Sequence, residues 1–164
     1  MDMNKDLVSF GVSNSTPLIL QSEIAECGLA SLAMIACYHG HQLDMPSMRK
    51  RFSANLKGMN LQQIIELGDS LGLASRALQC PIDEVHKLVT PCILHWDLNH
   101  FVVLTQVSGK GKSAKFYVND PALGKITLTA EAFSKHFTGI RLELTPTSKF
   151  EIKHEKTSTK ITKL

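Results

Sequence analysis

The chain has 164 residues, 43% of them hydrophobic and 20% charged, which is the balance of one folded domain with a real core rather than of a disordered segment. Its net charge of +3 comes entirely from residues 149–164, with five lysines and two glutamates, while residues 1–148 balance 13 basic against 13 acidic side chains. A neutral body speaks against a nucleic-acid partner, and the longest nearly apolar stretch, Leu29 to Tyr38, is about half of the roughly 20 residues that a membrane helix needs.

In chain order, residues 1–16 read as a polar, loosely held lead-in and residues 17–23 as an extended approach. Glu26 to Tyr38 is rich in Ala, Leu, Met and Ile without proline, which predicts a helix buried nearly all round and stopped at Gly40. A short helix is expected over Asp44–Phe52, with Pro46 tolerated in its first turn, and Asn60 reads as the N-cap of a helix over Leu61–Leu71 that ends at Gly72. Leu73–Leu78 predicts a strand and Asp83–Leu88 a short helix. Strands follow at Cys92–Trp96, His100–Val107 and Lys115–Asn119, with a turn through residues 109–113 between the last two. After a turn at Pro121–Gly124 come a strand over Lys125–Thr129, a short helix over Ala130–Phe137 and a final strand over Ile140–Leu144. Helices first and antiparallel strands after make an α+β chain. Beyond Pro146 the Lys/Thr/Ser/Glu mixture lacks apolar periodicity and reads as a linker.

Four side chains stand out. Cys27 lies where the extended lead-in meets the apolar helix, and a helix N-terminus favours a thiolate. His100 opens a strongly apolar strand, which fixes the direction of its ring. Asp120, before a proline, stands between strand and turn, where a carboxylate can orient an imidazole. Gln21, six residues before Cys27, can offer an amide N–H beside the Cys27 backbone N–H as an oxyanion hole. Taken singly, each has an ordinary reading: an inert buried cysteine, a surface histidine, an aspartate opening a turn, an uninformative glutamine. Their order, with the cysteine opening a helix and the histidine opening a strand, is the plan of papain-like cysteine peptidases.

The wording around these residues is more specific. Gln21-Ser-Glu-Ile-Ala-Glu-Cys-Gly-Leu-Ala30, Leu32-Ala-Met-Ile, Tyr38-His-Gly40, Lys57-Gly-Met-Asn60, Leu71-Gly72-Leu73, Pro91-Cys-Ile-Leu-His-Trp96, Asn99-His-Phe-Val-Val-Leu104 and Asp120-Pro121 together resemble peptidase family C39. That family comprises the N-terminal peptidase domains of ABC transporters that process bacteriocins and microcins. The resemblance covers residues 17–146, with 1–16 as lead-in and 147–164 as a linker toward a transmembrane domain. It implies a papain-like fold, the nucleophile helix packed on an antiparallel sheet, and removal of leader peptides after a Gly-Gly or Gly-Ala pair. It also implies Cys27 as nucleophile, His100 as acid–base, Asp120 as its orienter, and Gln21 with the Cys27 backbone as oxyanion hole. The implied partners are a precursor with an amphipathic helical leader and the transmembrane and ATPase domains of the transporter. No cofactor or metal is expected in this domain, ATP belonging to the nucleotide-binding portion. The expected place is the cytoplasmic face of the bacterial inner membrane, the isolated domain being soluble.

The sequence departs from many relatives at Ser31, where they carry a second cysteine, and the remaining thiols, Cys37, Cys80 and Cys92, read as structural. Met34, Met45, Met48 and Met59 suit either an adaptable docking groove or, as the more ordinary reading, core packing. Two other functions compete: a catalytically inactive C39-like domain that only docks cargo, and a metal module of Cys27, His39, His41 and His100. The first is opposed by the presence of both Cys27 and His100, the second by the lack of ligand spacing.

Overall fold

The computed structural model describes residues 15–52 and 58–157, so most of the expected lead-in, Lys57 of the quoted motif and the last seven residues lie outside it. The lead-in ends in a 3₁₀ turn, Ile24–Glu26, that runs directly into α1, Cys27–His39. Every residue of α1 from Cys27 to Cys37 is buried, which is why its sequence is apolar on all sides. Gly40 ends the helix at φ 111°, a left-handed conformation, and its N–H bonds back to the carbonyls of Ala36 and Cys37. After the two-residue β1, His41–Gln42, comes α2, Met45–Arg51, capped by the Asp44 carboxylate on the Ser47 N–H. Helix α3, Leu61–Ser70, opens with a reciprocal capping box between Asn60 and Gln63.

The rest is a six-stranded sheet in the order β2-β7-β3-β4-β5-β6, antiparallel throughout. Its strands are β2, Leu73–Gln79; β3, Cys92–Trp96; β4, His100–Ser108; β5, Lys115–Asp120; β6, Gly124–Thr129; and β7, Phe137–Pro146. The two central strands are apolar at consecutive positions because both faces of the sheet are covered. Ile93, Phe101 and Val103 point toward α1 and α3 and share a core with Leu32, Ile35 and Ile64. Leu94, Val102 and Leu104 point the other way, into a second core with Trp96, Phe116, Phe133 and Phe137. That far face is closed by α4, Ala130–Ser134, and by the turn over residues 82–87.

Three expectations change. The segment expected as a helix over Asp83–Leu88 is a 3₁₀ stretch, Ile82–Lys87, and the helix expected to reach Phe137 stops at Ser134. The last sheet strand begins three residues earlier and ends two later than its apolar core, because β7 pairs with two neighbours, β2 and β3. After Pro146 the chain turns back along the body. Residues Lys153–His154 form β8, parallel to β1, and the Glu155 carboxylate bonds the buried His41 ring at 2.8 Å and the Arg51 guanidinium.

Candidate active site

Cys27 is the first residue of α1, so its backbone N–H has no acceptor within the helix and lies at the positive end of the helix dipole. The residue is 8% exposed, a thiol open to the surface on one side only. His100 is the first residue of β4 and follows a tight turn in which Asp97 and Leu98 adopt φ of 50° and 71°. Left-handed backbone at a leucine costs roughly 1 kcal/mol, and the turn is held by the His136 ring, whose Nδ1 lies 2.8 Å from Asp97 Oδ1. Asp120 closes β5, and because Asn119 pairs with Val103, the end of β5 comes to lie beside the start of β4.

These three side chains meet. The His100 Nε2 stands 2.7 Å from Asp120 Oδ1, which also accepts the Ala122 N–H at 2.8 Å, and the Cys27 side chain is near enough to the same imidazole to bear on its proton. With Nε2 taken by the carboxylate, Nδ1 is the nitrogen left for the sulfur. Burial pushes the His100 pKa down, but the bond to Asp120 and the neighbouring Cys27 side chain outweigh it and raise the value to about 9. His100 therefore carries a proton at neutral pH. Burial pushes the Asp120 carboxyl up, and the bonds from His100 and Ala122 bring it below its ordinary value, so it stays ionised.

Gln21 is placed differently from its expected orientation. Its side-chain N–H₂ donates to the carbonyls of Glu23 and Ile24, at 3.1 and 3.2 Å, rather than reaching outward, and its Oε1 is buried without a partner. Its backbone is fixed next to the site, the Gln21 N–H bonding Pro121 O at 2.9 Å. The segment from Gln21 to Cys27 is tied by a residue that the sequence reading left without a role. Glu26 is 7% exposed, and its carboxylate accepts the N–H groups of Ser22 and Glu23 and two donors of Arg49 from α2. The Arg49 bonds, over the opposing effect of burial, hold the Glu26 carboxyl down at about 2. A charge next to the nucleophile is thus neutralised in place; the only sequence signal for it was an acidic residue at the mouth of an apolar helix.

Cys27 opens onto a cleft of about 680 Å³ lined by Ile24, Met59, Leu61, His95, Leu98 and Phe101 among others. Ile24 and Leu98, 94% and 80% exposed, stand on its rims. Of the four methionines considered for a groove, Met34, Met45 and Met48 are core residues, and Met59 alone lines the cleft. Ser31 is fully buried one turn inside α1, with its hydroxyl on Phe101 O at 3.4 Å. Cys37, Cys80 and Cys92 are free and buried, burial raising the pKa of each and pushing Cys92 up to about 12, so none resembles a nucleophile. Among the described residues no group of three or more His, Cys, Asp or Glu side chains could hold a metal ion, and no helix is long and apolar enough to cross a membrane.

The chain is similar to known proteins in sequence and fold. Residues 15–149 match the profile of the peptidase C39 family. The chain is 46% identical over 134 residues to the probable microcin-H47 secretion/processing ATP-binding protein MchF of Escherichia coli, a match covering 82% of this chain and 19% of that protein. It is 44% identical over 135 residues to the colicin V secretion/processing ATP-binding protein CvaB of the same species, with the same coverage. The chain thus spans about a fifth of the length of these relatives. Among solved structures it is similar to a double glycine motif protease from an AMS/PCAT transporter in complex with its leader peptide. That match has a TM-score of 0.70 at 35% identity and covers 83% of this chain and 97% of that one. The fold also matches the peptidase domain of Streptococcus ComA, with a TM-score of 0.69 at 23% identity, covering 80% and 99% of the two chains. A thiol at the mouth of a buried helix, an imidazole held by a carboxylate across two strands, and a sequence match over most of the chain converge: the protein belongs to the peptidase C39 family of cysteine peptidases.

Proposed function

We propose that the chain is the peptidase domain of a bacteriocin- or microcin-exporting ABC transporter and cuts precursors after a double-glycine-type leader. The observation that carries this reading is the Cys27–His100–Asp120 relay at the end of an open cleft, joined to 46% identity with a secretion/processing protein. Cys27 sulfur attacks the carbonyl carbon of the last leader residue, and a C–S bond forms as the carbonyl oxygen gains the negative charge. The Cys27 backbone N–H, aimed outward from the first turn of α1, is one donor for that oxygen. Gln21 is the other, once one N–H of its amide turns away from the Glu23 and Ile24 carbonyls. Its unpaired Oε1 marks an amide whose hydrogen bonding is incomplete in the free enzyme.

His100 then passes its proton to the leaving amine as the C–N bond breaks, leaving a thioester. The neutral imidazole takes a proton from water, the hydroxide adds to the thioester carbon, and the thiolate departs with the leader acid released. Asp120 supports each imidazolium stage. These side chains and water complete the hydrolysis, with ATP serving a separate domain of the transporter. Exposed Ile24 and Leu98 offer apolar contact to a leader helix on either rim of the cleft. Residues 147–157 pack back on the domain, so the connection toward the membrane portion, at the cytoplasmic face, is made by chain beyond them.

The test is digestion of a synthetic leader–cargo peptide carrying Gly-Gly at the junction, read by mass spectrometry for the wild type and for Cys27→Ala. One cut after the pair, absent in Cys27→Ala, is expected. Binding of the peptide without any cut would favour the cargo-docking reading.

A further inference from the structure

The strand pairing between β3 and β7 is interrupted at one place, and the interruption faces the cleft. Leu94 pairs with Arg141 and Trp96 with Phe137, so two residue steps on β3 stand opposite four on β7. The extra length, Thr138 to Ile140, bulges beside His95, with Gly139 at φ 95° allowing the turn of the backbone. Bulges of this kind re-aim a side chain, and here they bring Thr138 onto His95 twice. Thr138 Oγ1 lies 2.8 Å from His95 Nδ1 and 3.2 Å from the His95 carbonyl oxygen.

Those two contacts set the tautomer of the ring. A carbonyl oxygen only accepts, so the single Thr138 hydroxyl proton goes to His95 O, and Oγ1 is left to accept. His95 Nδ1 must then carry the proton, and Nε2 of the neutral ring is an acceptor. The ring packs against Phe101, with centroids 5.4 Å apart, and His95 lines the same cleft as Cys27. With its Nδ1 edge turned to Thr138, the Nε2 edge is the one that remains for the cleft. His95 takes no part in the Cys27–His100–Asp120 relay, and in the sequence it is a polar interruption of an otherwise apolar strand, Cys92–Trp96.

We propose that His95 Nε2 accepts a hydrogen bond from a backbone N–H of the leader near its C-terminal end, and so registers the scissile bond over Cys27. A chain ending in residues without side chains offers few handles except its amides, and a fixed acceptor in the cleft wall reads one of them. The inference rests on the peptidase reading and refines it, with Thr138 acting as a positioning residue through the His95 tautomer.

The test is a cycle of enzyme and substrate changes on the full chain. Leader peptides are made in which the amide of each of the last four leader residues in turn is replaced by an ester, removing one N–H. The wild type is expected to lose about 5- to 10-fold in kcat/KM at one position, the worth of one neutral hydrogen bond. His95→Phe, which keeps the packing on Phe101, is expected to lose a similar factor on the all-amide peptide and nothing further with that same ester. The rate of Cys27 alkylation by iodoacetamide should be unchanged, since the relay is intact. Thr138→Val, which removes the acceptor at Nδ1, gives a second cycle should His95→Phe fold poorly, and is expected to show the same non-additivity. If the losses from ester and variant multiply at every position, or His95→Phe cleaves within twofold of the wild type, His95 does not hold the leader. Failure of the wild type to cut the all-amide peptide would instead strike the peptidase reading.

Discussion

Replacing Asp120 by Asn removes a charge and keeps the shape, which isolates what the carboxylate does for His100. The imidazole stands at about 9 against an ordinary 6.5, although burial pulls it down, so its partners stabilise the protonated ring by roughly 3 kcal/mol or more. Asp120 is the larger of those partners and is nearly buried, its side chain 4% exposed, so screening by water is slight. Most of that stabilisation should vanish in Asp120→Asn, about 2–3 kcal/mol, which is about 30- to 150-fold in kcat/KM for the leader peptide. The pH profile should move as well. In the wild type the alkaline limb falls where His100 loses the proton it owes the leaving amine, near pH 9; in Asp120→Asn it should fall near or below neutrality. The assay is kcat/KM for a fluorogenic double-glycine peptide from pH 5 to 10. An unmoved alkaline limb, or a loss under threefold, would refute the assignment of Asp120 as the group that holds His100 protonated.

Arg49→Met should strand the buried Glu26 carboxylate and cost about 2–4 kcal/mol of stability in urea melts, with Glu26→Gln in the same chain recovering part of it. Wild-type stability in Arg49→Met would mean the pair is not what ties the turn before Cys27. Glu26 and Glu155, both lowered from 4.5 to about 2 by their arginine partners, contribute stability that is complete above about pH 4.5 and lost as pH falls toward 2. Because Arg49 is a third exposed, the Glu26 share should be only about 1–2 kcal/mol, and Glu26→Gln should reduce the acid loss of stability by that share while leaving the Glu155 part. Limited iodoacetamide should label Cys27 and spare Cys37, Cys80 and Cys92, read by peptide mapping; early label on any of these three would count against their burial. Gly72→Ala combines φ of 86° with a β-carbon 2.6 Å from the Phe150 backbone, and should lower stability by more than about 2 kcal/mol and loosen residues 147–157 in hydrogen exchange.

How far the sequence carried depended on whether the cause was local. Helix α1 and the strands β3 and β4 announce themselves by composition because they are buried on every side, and Gly40, Asn60 and Gly72 mark ends by backbone or capping chemistry that acts within a few residues. The order of Cys27, His100 and Asp120 was legible because each opens or closes an element, and the fold brings those ends together. What escaped was set by distant partners. The full length of β7 depends on pairing with β2 and β3, and the return of residues 147–157 on His41, Ser47 and Gly72. Glu26 finds its role only through Arg49 on another helix, and His95 only through the bulge at Thr138. The orientation of Gln21 turned on carbonyls two and three residues away, a local competition that its position in the motif does not express.

The most direct test of Cys27 as the nucleophile is intact-mass analysis of the enzyme quenched within milliseconds of mixing with a double-glycine leader peptide. A transient species heavier by the leader acyl group is expected, mapped by digestion to the peptide carrying Cys27 and lost on longer incubation as free leader acid accumulates. Turnover with no acyl mass at any quench time, or an acyl group on Cys37, Cys80 or Cys92, would contradict it.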